Sequence, residues 1–347
     1  MLAAVYHGPL DLRVEEVPVP PFASDEILLK VEAAGICGTD LRIFHGGHRM
    51  YPAGTVRIPG HEVVGRVAET GSQAGGYTQG QRLFIAPNMG CGFCRHCISG
   101  QNNRCASYQA FGVTLDGAFA EYMRVSKAAI QQGNLIPIAD NVDPAQAALI
   151  EPFACVLRGQ EPLKIIPGDV VLVMGAGPIG LMHMLLARLS GAARVLVSDP
   201  NAERAAQAAA LGADRAINPN QDDLAAVIQE ETGGEGADVV IVAAPAHAAQ
   251  ESALRLAAIG GRINFFGGLP KTQPFIQFDS NLVHYKELVV TGTTACSTAD
   301  CRRAAQIISS GRLDLSSLVS RRFDLKEAVA AFGAAEDGKS LKVVIEP

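Results

Sequence analysis

The sequence predicts an α/β protein of two domains, the second built on a doubly wound parallel sheet. The chain has 347 residues, more than a single hydrophobic core usually organises. The pattern of apolar residues changes near residue 150, and beyond that point predicted apolar strands alternate with Ala- and Leu-rich helices. Such alternation is typical of βαβ units. No internal repeat, low-complexity tract or flexible linker interrupts the pattern.

The first half contains short β-like runs broken by Gly and Pro, at residues 27–31, 62–67 and 82–85. In the second half the run at 170–174 is apolar throughout, as expected for a strand buried on both faces of a parallel sheet. Further strands are predicted at residues 194–198, 237–242, 261–266 and 288–291, and helices at residues 181–189 and 202–211.

Composition and charge exclude several classes of protein. The 29 Lys and Arg against 35 Asp and Glu give a net charge of −6 with no basic block, which argues against a nucleic-acid partner. The apolar stretches are too short for a membrane span, and the first residues lack the charged-then-apolar pattern of a signal peptide. Four of the eight cysteines stand in one cluster, so a reducing compartment fits better than a disulfide framework. We expect a cytoplasmic protein.

The most specific motif is a run of four cysteines, Cys91, Cys94, Cys97 and Cys105, with gaps of two, two and seven residues. Four thiolates at such spacing form the closed tetrahedral shell of a structural zinc site. An iron–sulfur cluster also takes four cysteines, but its bacterial motif has a shorter last gap and a Pro after the final Cys. The surrounding segment is polar and Gly-rich, which disfavours cysteines acting as buried apolar residues. Because a closed site leaves no position for substrate, the chemistry must lie elsewhere.

The second half carries a dinucleotide-binding pattern. Gly175, Gly177 and Gly180 fit Gly-x-Gly-x-x-Gly directly after a predicted strand and at the start of a helix. The helix N-terminus offers N–H groups to a pyrophosphate. Asp199 follows Gly180 by 19 residues and ends the next strand, where a carboxylate binds the adenosine ribose hydroxyls and repels a 2′-phosphate. The pattern favours NAD, although Arg204 offers either an NADP-type phosphate contact or an ordinary solvated helix residue.

The first half contains the ligand types of a catalytic zinc. Cys37 is followed 24 residues later by His61 and then Glu62, and Glu151 opens the second half. Cys, His and carboxylate ligands from separated segments are typical of a zinc ion with an open position for substrate. Each residue alone has an ordinary structural explanation, as a small core residue, a core imidazole or a surface charge. Together with the other two motifs they predict a catalytic metal site.

These motifs carry a family resemblance over essentially the whole chain. Gly-Ile-Cys-Gly-Thr-Asp, Gly-His-Glu, the four-cysteine lobe, Glu-Pro and Gly-Ala-Gly-Pro-Ile-Gly resemble zinc-dependent medium-chain alcohol dehydrogenases, most of all the sorbitol (polyol) dehydrogenase branch. The resemblance implies a β-rich GroES-like catalytic domain of residues 1–150 and 295–347, with a zinc lobe at 90–106. It places an inserted NAD-binding Rossmann domain at 151–294 and an active site in the cleft between the two. It also implies a homo-oligomer, a tetramer or dimer.

The resemblance assigns roles to individual residues. Cys37, His61 and Glu62 match the catalytic zinc ligands, and Glu151 matches the glutamate that approaches the metal or holds its water. Which glutamate is the resting ligand stays open. The positions that match cofactor contacts are Gly175, Gly177, Pro178, Ile179, Gly180, Asp199, Arg204, Phe266, Gly267, Gly268, Thr293 and Thr294.

The implied reaction moves a hydride from a secondary alcohol, such as a polyol or sugar, to NAD (EC 1.1.1.-), with two zinc ions per subunit. Thr39, two residues after Cys37, is placed to take the alcohol proton. Relatives often carry a relay histidine where this chain has Arg42, which stays protonated and cannot act as a base. His45 or a water held by Glu151 is expected to replace it, or Arg42 binds a cofactor phosphate.

Several departures leave the substrate open. Ala295 and Cys296 stand where sorbitol dehydrogenases carry an Arg-Tyr pair, and Ile43 replaces an aromatic residue. The substrate is therefore another polyol, a sugar, an inositol or threonine, the last giving an L-threonine 3-dehydrogenase-type activity. A catalytically silent dinucleotide-binding member is the alternative from another class. The pair His45 and His48 has metal-like spacing, but a solvated loop is the preferred interpretation.

Overall fold

The computed structural model describes all 347 residues, which form two compact units. One unit contains Met1–Ala154 together with Cys296–Pro347, and the other contains Cys155–Ala295. No helix is both long enough and apolar enough to cross a membrane.

The chain forms seventeen strands. They are β1 Leu2–Gly8, β2 Asp11–Glu16, β3 Ile27–Gly35, β4 Glu62–Thr70, β5 Arg82–Ile85, β6 Asn88–Met89, β7 Gln109–Ala110, β8 Tyr122–Val125, β9 Leu135–Pro137, β10 Val170–Met174, β11 Arg194–Ser198, β12 Arg215–Ile217, β13 Ala237–Val242, β14 Ala257–Phe265, β15 Val289–Gly292, β16 Val319–Asp324 and β17 Lys342–Glu346.

Twelve α-helices and four single-turn 3₁₀ helices complete the fold. The α-helices are α1 Gly38–Phe44, α2 Arg95–Ile98, α3 Lys127–Gln131, α4 Pro144–Ala148, α5 Ile150–Gln160, α6 Pro178–Leu189, α7 Ala202–Ala210, α8 Leu224–Glu231, α9 His247–Leu256, α10 Ser280–Tyr285, α11 Thr298–Ser309 and α12 Ala328–Glu336.

The first unit is built on a seven-stranded, largely antiparallel sheet in the order β16-β17-β3-β4-β5-β9, with β8 also paired to β3. Both chain ends contribute to it, because β17 near the C-terminus pairs antiparallel with β3. A buried core that includes Phe119 and Phe332, whose rings meet edge to face, packs against the sheet. The central strands β3 and β4 carry the residues that lead into the candidate metal site.

The second unit is a six-stranded parallel sheet in the order β12-β11-β10-β13-β14-β15. The strand order reverses between β10 and β13, the point where doubly wound sheets bind their ligands. Val171, Leu172 and Val173 of β10 are fully buried, as the apolar run predicts. The prediction of an α/β protein with a doubly wound parallel sheet is confirmed. The strand at 261–266 is longer than predicted, since pairing with β13 already begins at Ala257.

Candidate catalytic and metal-binding sites

The register of β3 and β4 brings the candidate catalytic ligands together. Gly35, at the end of β3, pairs with Glu62 at the start of β4, so Cys37 leaves one strand where His61 enters the other. The ligand atoms of Cys37, His61 and Glu62 all lie within 4.8 Å of one another. Zinc bonds to sulfur and nitrogen are about 2.0–2.3 Å long, which places tetrahedral ligands ~3.3–3.8 Å apart. The cluster fits a zinc ion after small side-chain adjustments.

Asp40 supports this cluster from α1. Its carboxylate is fully buried, and Oδ2 accepts a 2.9 Å hydrogen bond from the Cys37 backbone N–H. Oδ1 lies 3.3 Å from Nδ1 of His61, yet neither atom makes a hydrogen bond. A metal-bound histidine usually directs its second nitrogen to a carboxylate, which fixes the tautomer. Asp40 is therefore placed to orient His61 through Nδ1, which would leave Nε2 for a metal.

Lys342 on β17 contacts the cluster from the other side. Its Nζ donates to Oε1 and Oε2 of Glu62, at 2.7 and 2.5 Å, and to the Ile36 carbonyl at 2.8 Å. Gly35 makes this contact possible, because a Cβ there would lie 2.1 Å from Oε2 of Glu62. Glu62 is fully buried and Lys342 nearly so, at 4% exposure. Both oxygens of Glu62 thus have a cationic partner that competes with a metal.

Burial and charge set the pKa values in this cluster. Burial alone would lower the pKa of His61, but the negative charges of Asp40 and Cys37 raise it well above its ordinary value. Burial, together with the neighbouring negative charge of Glu62, raises the pKa of Glu151. Burial opposes the charged form of Lys342, but Glu62 outweighs it, so the pKa of Lys342 is raised. The site therefore attracts positive charge, as a cation site should.

Glu151, the second residue of α5, is buried as well. Its Oε1 lies 3.6 Å from the Sγ atom of Cys296, with the thiol as donor. The backbone carbonyl of Cys296 accepts a 2.7 Å hydrogen bond from Nδ2 of Asn88. Cys296 stands where sorbitol dehydrogenases carry one residue of their Arg-Tyr pair, and it is thus buried beside Glu151.

The four cysteines of the lobe also fit a metal. Their Sγ atoms lie within 4.8 Å of one another, with Cys94 3.5 Å from Cys97 and 3.9 Å from Cys105. Backbone N–H groups, that of Phe93 first, lower the pKa of Cys91 to about 6. Such N–H groups stabilise thiolates, which are the form that binds zinc. The arrangement matches a closed four-cysteine zinc site.

The proposed relay residues lie along α1. Thr39 is half-buried in its first turn, and Arg42 is exposed. His45 caps the end of the helix, where Nε2 lies 2.5 Å from Oε1 of Glu336. Neither His45 nor His48 belongs to a cluster of three or more residues that could hold a metal. Ile43 is fully buried in the core.

The glycine-rich loop of the second unit has the shape that a pyrophosphate requires. A Cβ at Gly180 would lie 1.7 Å from the Gly175 carbonyl, so the helix α6 packs directly on the loop. Gly175 has φ +110°, a conformation that L-residues rarely adopt. A Cβ at Gly177, the N-cap of α6, would meet open space. The N-terminus of α6 is therefore accessible to an anion.

Asp199 follows β11 and faces the same loop. Oδ2 accepts a 2.7 Å hydrogen bond from the Ala176 N–H, and Oδ1 accepts a 2.8 Å bond from Asn201. At 5% exposure it both shapes the loop and keeps further acceptor lone pairs for ribose hydroxyls. In α7, the Nε of Arg204 is buried without a hydrogen-bond partner.

The other predicted cofactor positions follow the carboxyl ends of β14 and β15, the same edge of the sheet. Phe266 packs edge to face on His183, with ring centroids 4.7 Å apart. Gly267 is packed on the backbone of Ala244, which a Cβ would approach to 2.6 Å. The hydroxyl of Thr293 is buried without a partner.

Comparison with known proteins identifies the family. The model of the alcohol dehydrogenase GroES-like domain matches residues 23–137, and the zinc-binding dehydrogenase model matches residues 178–310. The chain is 32% identical over 339 residues to an L-threonine 3-dehydrogenase of Chromobacterium violaceum, covering 96% of each protein. It is also 32% identical over 356 residues to a sorbitol dehydrogenase of Bacillus subtilis, covering 100% of this chain and 97% of that protein.

The chain belongs to the zinc-dependent medium-chain alcohol dehydrogenases.

Solved structures agree with this assignment. A zinc-binding dehydrogenase of Sinorhizobium meliloti 1021, bound to NADP, is 32% identical with a TM-score of 0.91, covering 100% of this chain and 99% of that one. The alcohol dehydrogenase TADH of Thermus sp. ATN1 is 30% identical with a TM-score of 0.90, at the same coverage. The predicted family and its GroES-like plus Rossmann fold class are confirmed. The protein is a zinc- and nicotinamide-dinucleotide-dependent oxidoreductase that acts on the CH–OH group of a small molecule.

Two residues that contact the metal cluster could not be predicted from the sequence. Asp40 stands three residues after Cys37, a spacing that signals a helix cap as much as a metal-site partner. Lys342 lies 280 residues from its partner Glu62, and no local pattern marks it. Only the pairing of β17 with β3 shows that the lysine reaches the cluster.

Proposed function

We propose that this dehydrogenase oxidises a secondary alcohol of a polyol or sugar and reduces NAD. The observation that carries the proposal is the cluster of Cys37, His61 and Glu62, held by Asp40 and Lys342. A silent dinucleotide-binding member would not need to retain this set of ligands and supporting residues. A zinc ion held there would supply Lewis-acid chemistry that lowers the pKa of a bound hydroxyl.

We assign the remaining roles to residues of this chain. Asp40 orients His61, and Lys342 holds Glu62, which leaves Glu151 as the second carboxylate able to hold the metal or its water. Thr39, half-buried two residues after Cys37, relays the substrate proton, taking it on its hydroxyl oxygen while its own hydroxyl proton passes to the next group. His45, exposed at the end of the same helix and paired with Glu336, is the proposed group that passes the proton to solvent.

The Thr39 assignment has a direct test. Thr39→Val keeps the shape of the side chain and removes the hydroxyl, so zinc content and cofactor binding should be unchanged. We expect turnover to fall by roughly 10²–10⁴-fold, as for lost acid–base help. Turnover close to that of the wild type would show that Thr39 only packs in the loop.

We propose NAD as the preferred cofactor on the strength of Asp199. Its carboxylate is fixed beside the glycine-rich loop, where it would repel a 2′-phosphate. Arg204, with an unpartnered Nε, and the NADP-bound Sinorhizobium meliloti relative argue in the other direction. The ratio of kcat/KM for the two cofactors tests this choice. A preference for NADP would indicate instead that Arg204 binds the 2′-phosphate.

L-threonine 3-dehydrogenase activity is the second candidate. The relative from Chromobacterium violaceum carries that name, and Ala295 and Cys296 replace the Arg-Tyr pair of the sorbitol enzymes. Purified zinc-loaded protein should be assayed with NAD against a panel of polyols, sugars, inositols and threonine. Threonine as the best substrate would favour this candidate over the polyol.

We also propose a homo-oligomer, dimer or tetramer. The strand β15 ends the parallel sheet, so one row of its backbone groups has no neighbouring strand. Val289 on that strand is 50% exposed, and Phe275 and Tyr285 nearby in sequence are also exposed. An exposed apolar edge strand is a ready surface for pairing with a second copy. Light scattering of the purified protein tests the assembly.

A further inference from the structure

Two buried thiols meet at the start of α11. The Sγ atoms of Cys296 and Cys301 lie 3.5 Å apart, and the two side chains are at most 1% exposed. A disulfide bond is about 2.05 Å long, so the sulfurs need to approach by ~1.5 Å. The two thiols therefore already lie at contact distance before any bond forms.

The backbone around this pair is firmly held. Ser297 and Asp300 form a reciprocal capping box, with Asp300 N 3.2 Å from Ser297 Oγ and Ser297 N 2.9 Å from Asp300 Oδ2. Thr298 is tied to Asn102 of the zinc lobe through two hydrogen bonds, of 3.0 and 3.1 Å. These bonds fix the backbone between the two cysteines, so the proximity of the two thiols is built into the fold.

The pair also reaches the catalytic cluster. Cys296 directs its thiol at Oε1 of Glu151, at 3.6 Å, and Glu151 is the carboxylate that the proposed function places at the metal or its water. Loss of the thiol hydrogen would remove this donor and pull the sulfur toward Cys301. A covalent change at the pair is therefore transmitted to Glu151.

We propose that Cys296 and Cys301 are a modification site, closed to a reversible disulfide by a small uncharged oxidant such as hydrogen peroxide, and that closure lowers activity through Glu151. Burial of both thiols selects against larger oxidants. The first half of the proposal concerns the thiols alone, and the second half rests on the proposed function.

The chemistry balances with peroxide as the only co-reactant. One thiol attacks an oxygen of hydrogen peroxide, the O–O bond breaks, and a sulfenic acid and one water form. The second thiol then attacks the sulfenic sulfur and expels the second water, which leaves the disulfide. Two sulfurs are oxidised and two peroxide oxygens are reduced. An external dithiol returns the pair to thiols by exchange.

Trypsin gives a direct readout, because it cuts after Lys286 and Arg302 and leaves both cysteines in the peptide 287–302. Zinc-loaded protein is treated with peroxide, alkylated and digested. We expect this peptide to be two hydrogens lighter and unalkylated. After reduction with dithiothreitol and a second alkylation, it should carry two alkyl groups. A peptide that stays alkylated at both cysteines, or is joined to another peptide, overturns the modification site.

Variants then separate the site from its effect. Cys155→Ala retains both thiols and removes the third thiol, which lies within 4.8 Å of Cys296, so the lighter peptide should still form. Cys301→Ala cannot form the disulfide, and its activity should survive the peroxide dose that lowers wild-type activity roughly tenfold, a loss of the size expected for one hydrogen bond to a charged group. If Cys301→Ala does not fold, Cys301→Ser serves the same purpose.

Activity lost equally in the variant would show that oxidation acts elsewhere, for instance at Cys37, and would overturn the link to Glu151. If no alcohol is oxidised at all, the proposed function fails, and the peptide mass still decides whether the disulfide forms. The two failures are therefore distinguishable.

Discussion

The Nζ atom of Lys342 lies within 2.7 Å of both carboxylate oxygens of Glu62, and the two side chains are buried together. The pair spans three strands, because β17 carries the lysine, β4 the glutamate, and Gly35 of β3 leaves the space between them. A buried ion pair whose acidic member also belongs to a metal cluster sets the lysine and the metal in competition for the same carboxylate.

Replacement of this lysine should separate stability from metal binding. Lys342→Met leaves the carboxylate of Glu62 buried without its cation, which costs about 3–5 kcal/mol in comparable cases. Zinc would then relieve that charge, so the difference in Tm between zinc-loaded and zinc-depleted protein should be larger than in the wild type. Thermal unfolding of both forms measures this. Lys326→Met, at an exposed position, is the matched control, and an unchanged Tm difference would contradict the competition.

Asp40→Asn should weaken the metal site while the fold is retained. The amide keeps the size of the carboxylate but removes the negative charge that faces Nδ1 of His61. Loss of such an outer partner typically costs about 10–100-fold in metal affinity or activity. Zinc competition with a chelator measures the affinity. Wild-type affinity in the variant would mean that Asp40 only caps α1.

Asp199→Asn should relax the preference for NAD. The amide oxygen can still accept a hydrogen bond from the loop, so the variant tests the charge more than the shape. A hydrogen bond to a charged group is worth roughly 1.5–3 kcal/mol, or about 10–150-fold in NAD affinity. Titration with NAD and NADP measures the change. Unaltered discrimination between the two cofactors would show that Asp199 serves the loop alone.

His183 should make the protein less stable in mild acid. Burial lowers its pKa to about 3 from the ordinary 6.5, so the folded chain keeps it neutral while the unfolded chain takes up a proton below pH 6.5. The contribution of the neutral His183 to the free energy of unfolding is therefore complete above pH 6.5 and is lost as the pH falls from 6.5 toward 3. At pH 5 about 2 kcal/mol of it is lost. The free energy of unfolding, measured with denaturant at pH 7 and pH 5, should decrease less for His183→Asn than for the wild type. Equal decreases would contradict a neutral buried His183.

The sequence predicts the parts of the site that depend on local motifs, but it does not predict those that depend on pairing between distant strands. The motifs around Cys37 and His61 predicted a metal cluster that the register of β3 and β4 assembles. Lys342 could not be found, since its role arises from strands distant in sequence. The strand β12 is three residues long, too short for a periodic pattern. Ile43 stands where the resemblance places an aromatic residue, and packing buries it in the core.

The most direct test of the central claim is zinc-dependent reduction of NAD by an alcohol from the panel, measured for the wild type and Cys37→Ser. The wild type should contain two zinc ions per chain and form NADH, whereas Cys37→Ser should keep the zinc of the cysteine lobe and lose nearly all activity. Cys94→Ser should instead lose stability, because a structural zinc contributes folding free energy. Activity that persists in Cys37→Ser, or a wild type that oxidises no alcohol with either cofactor, would contradict the account.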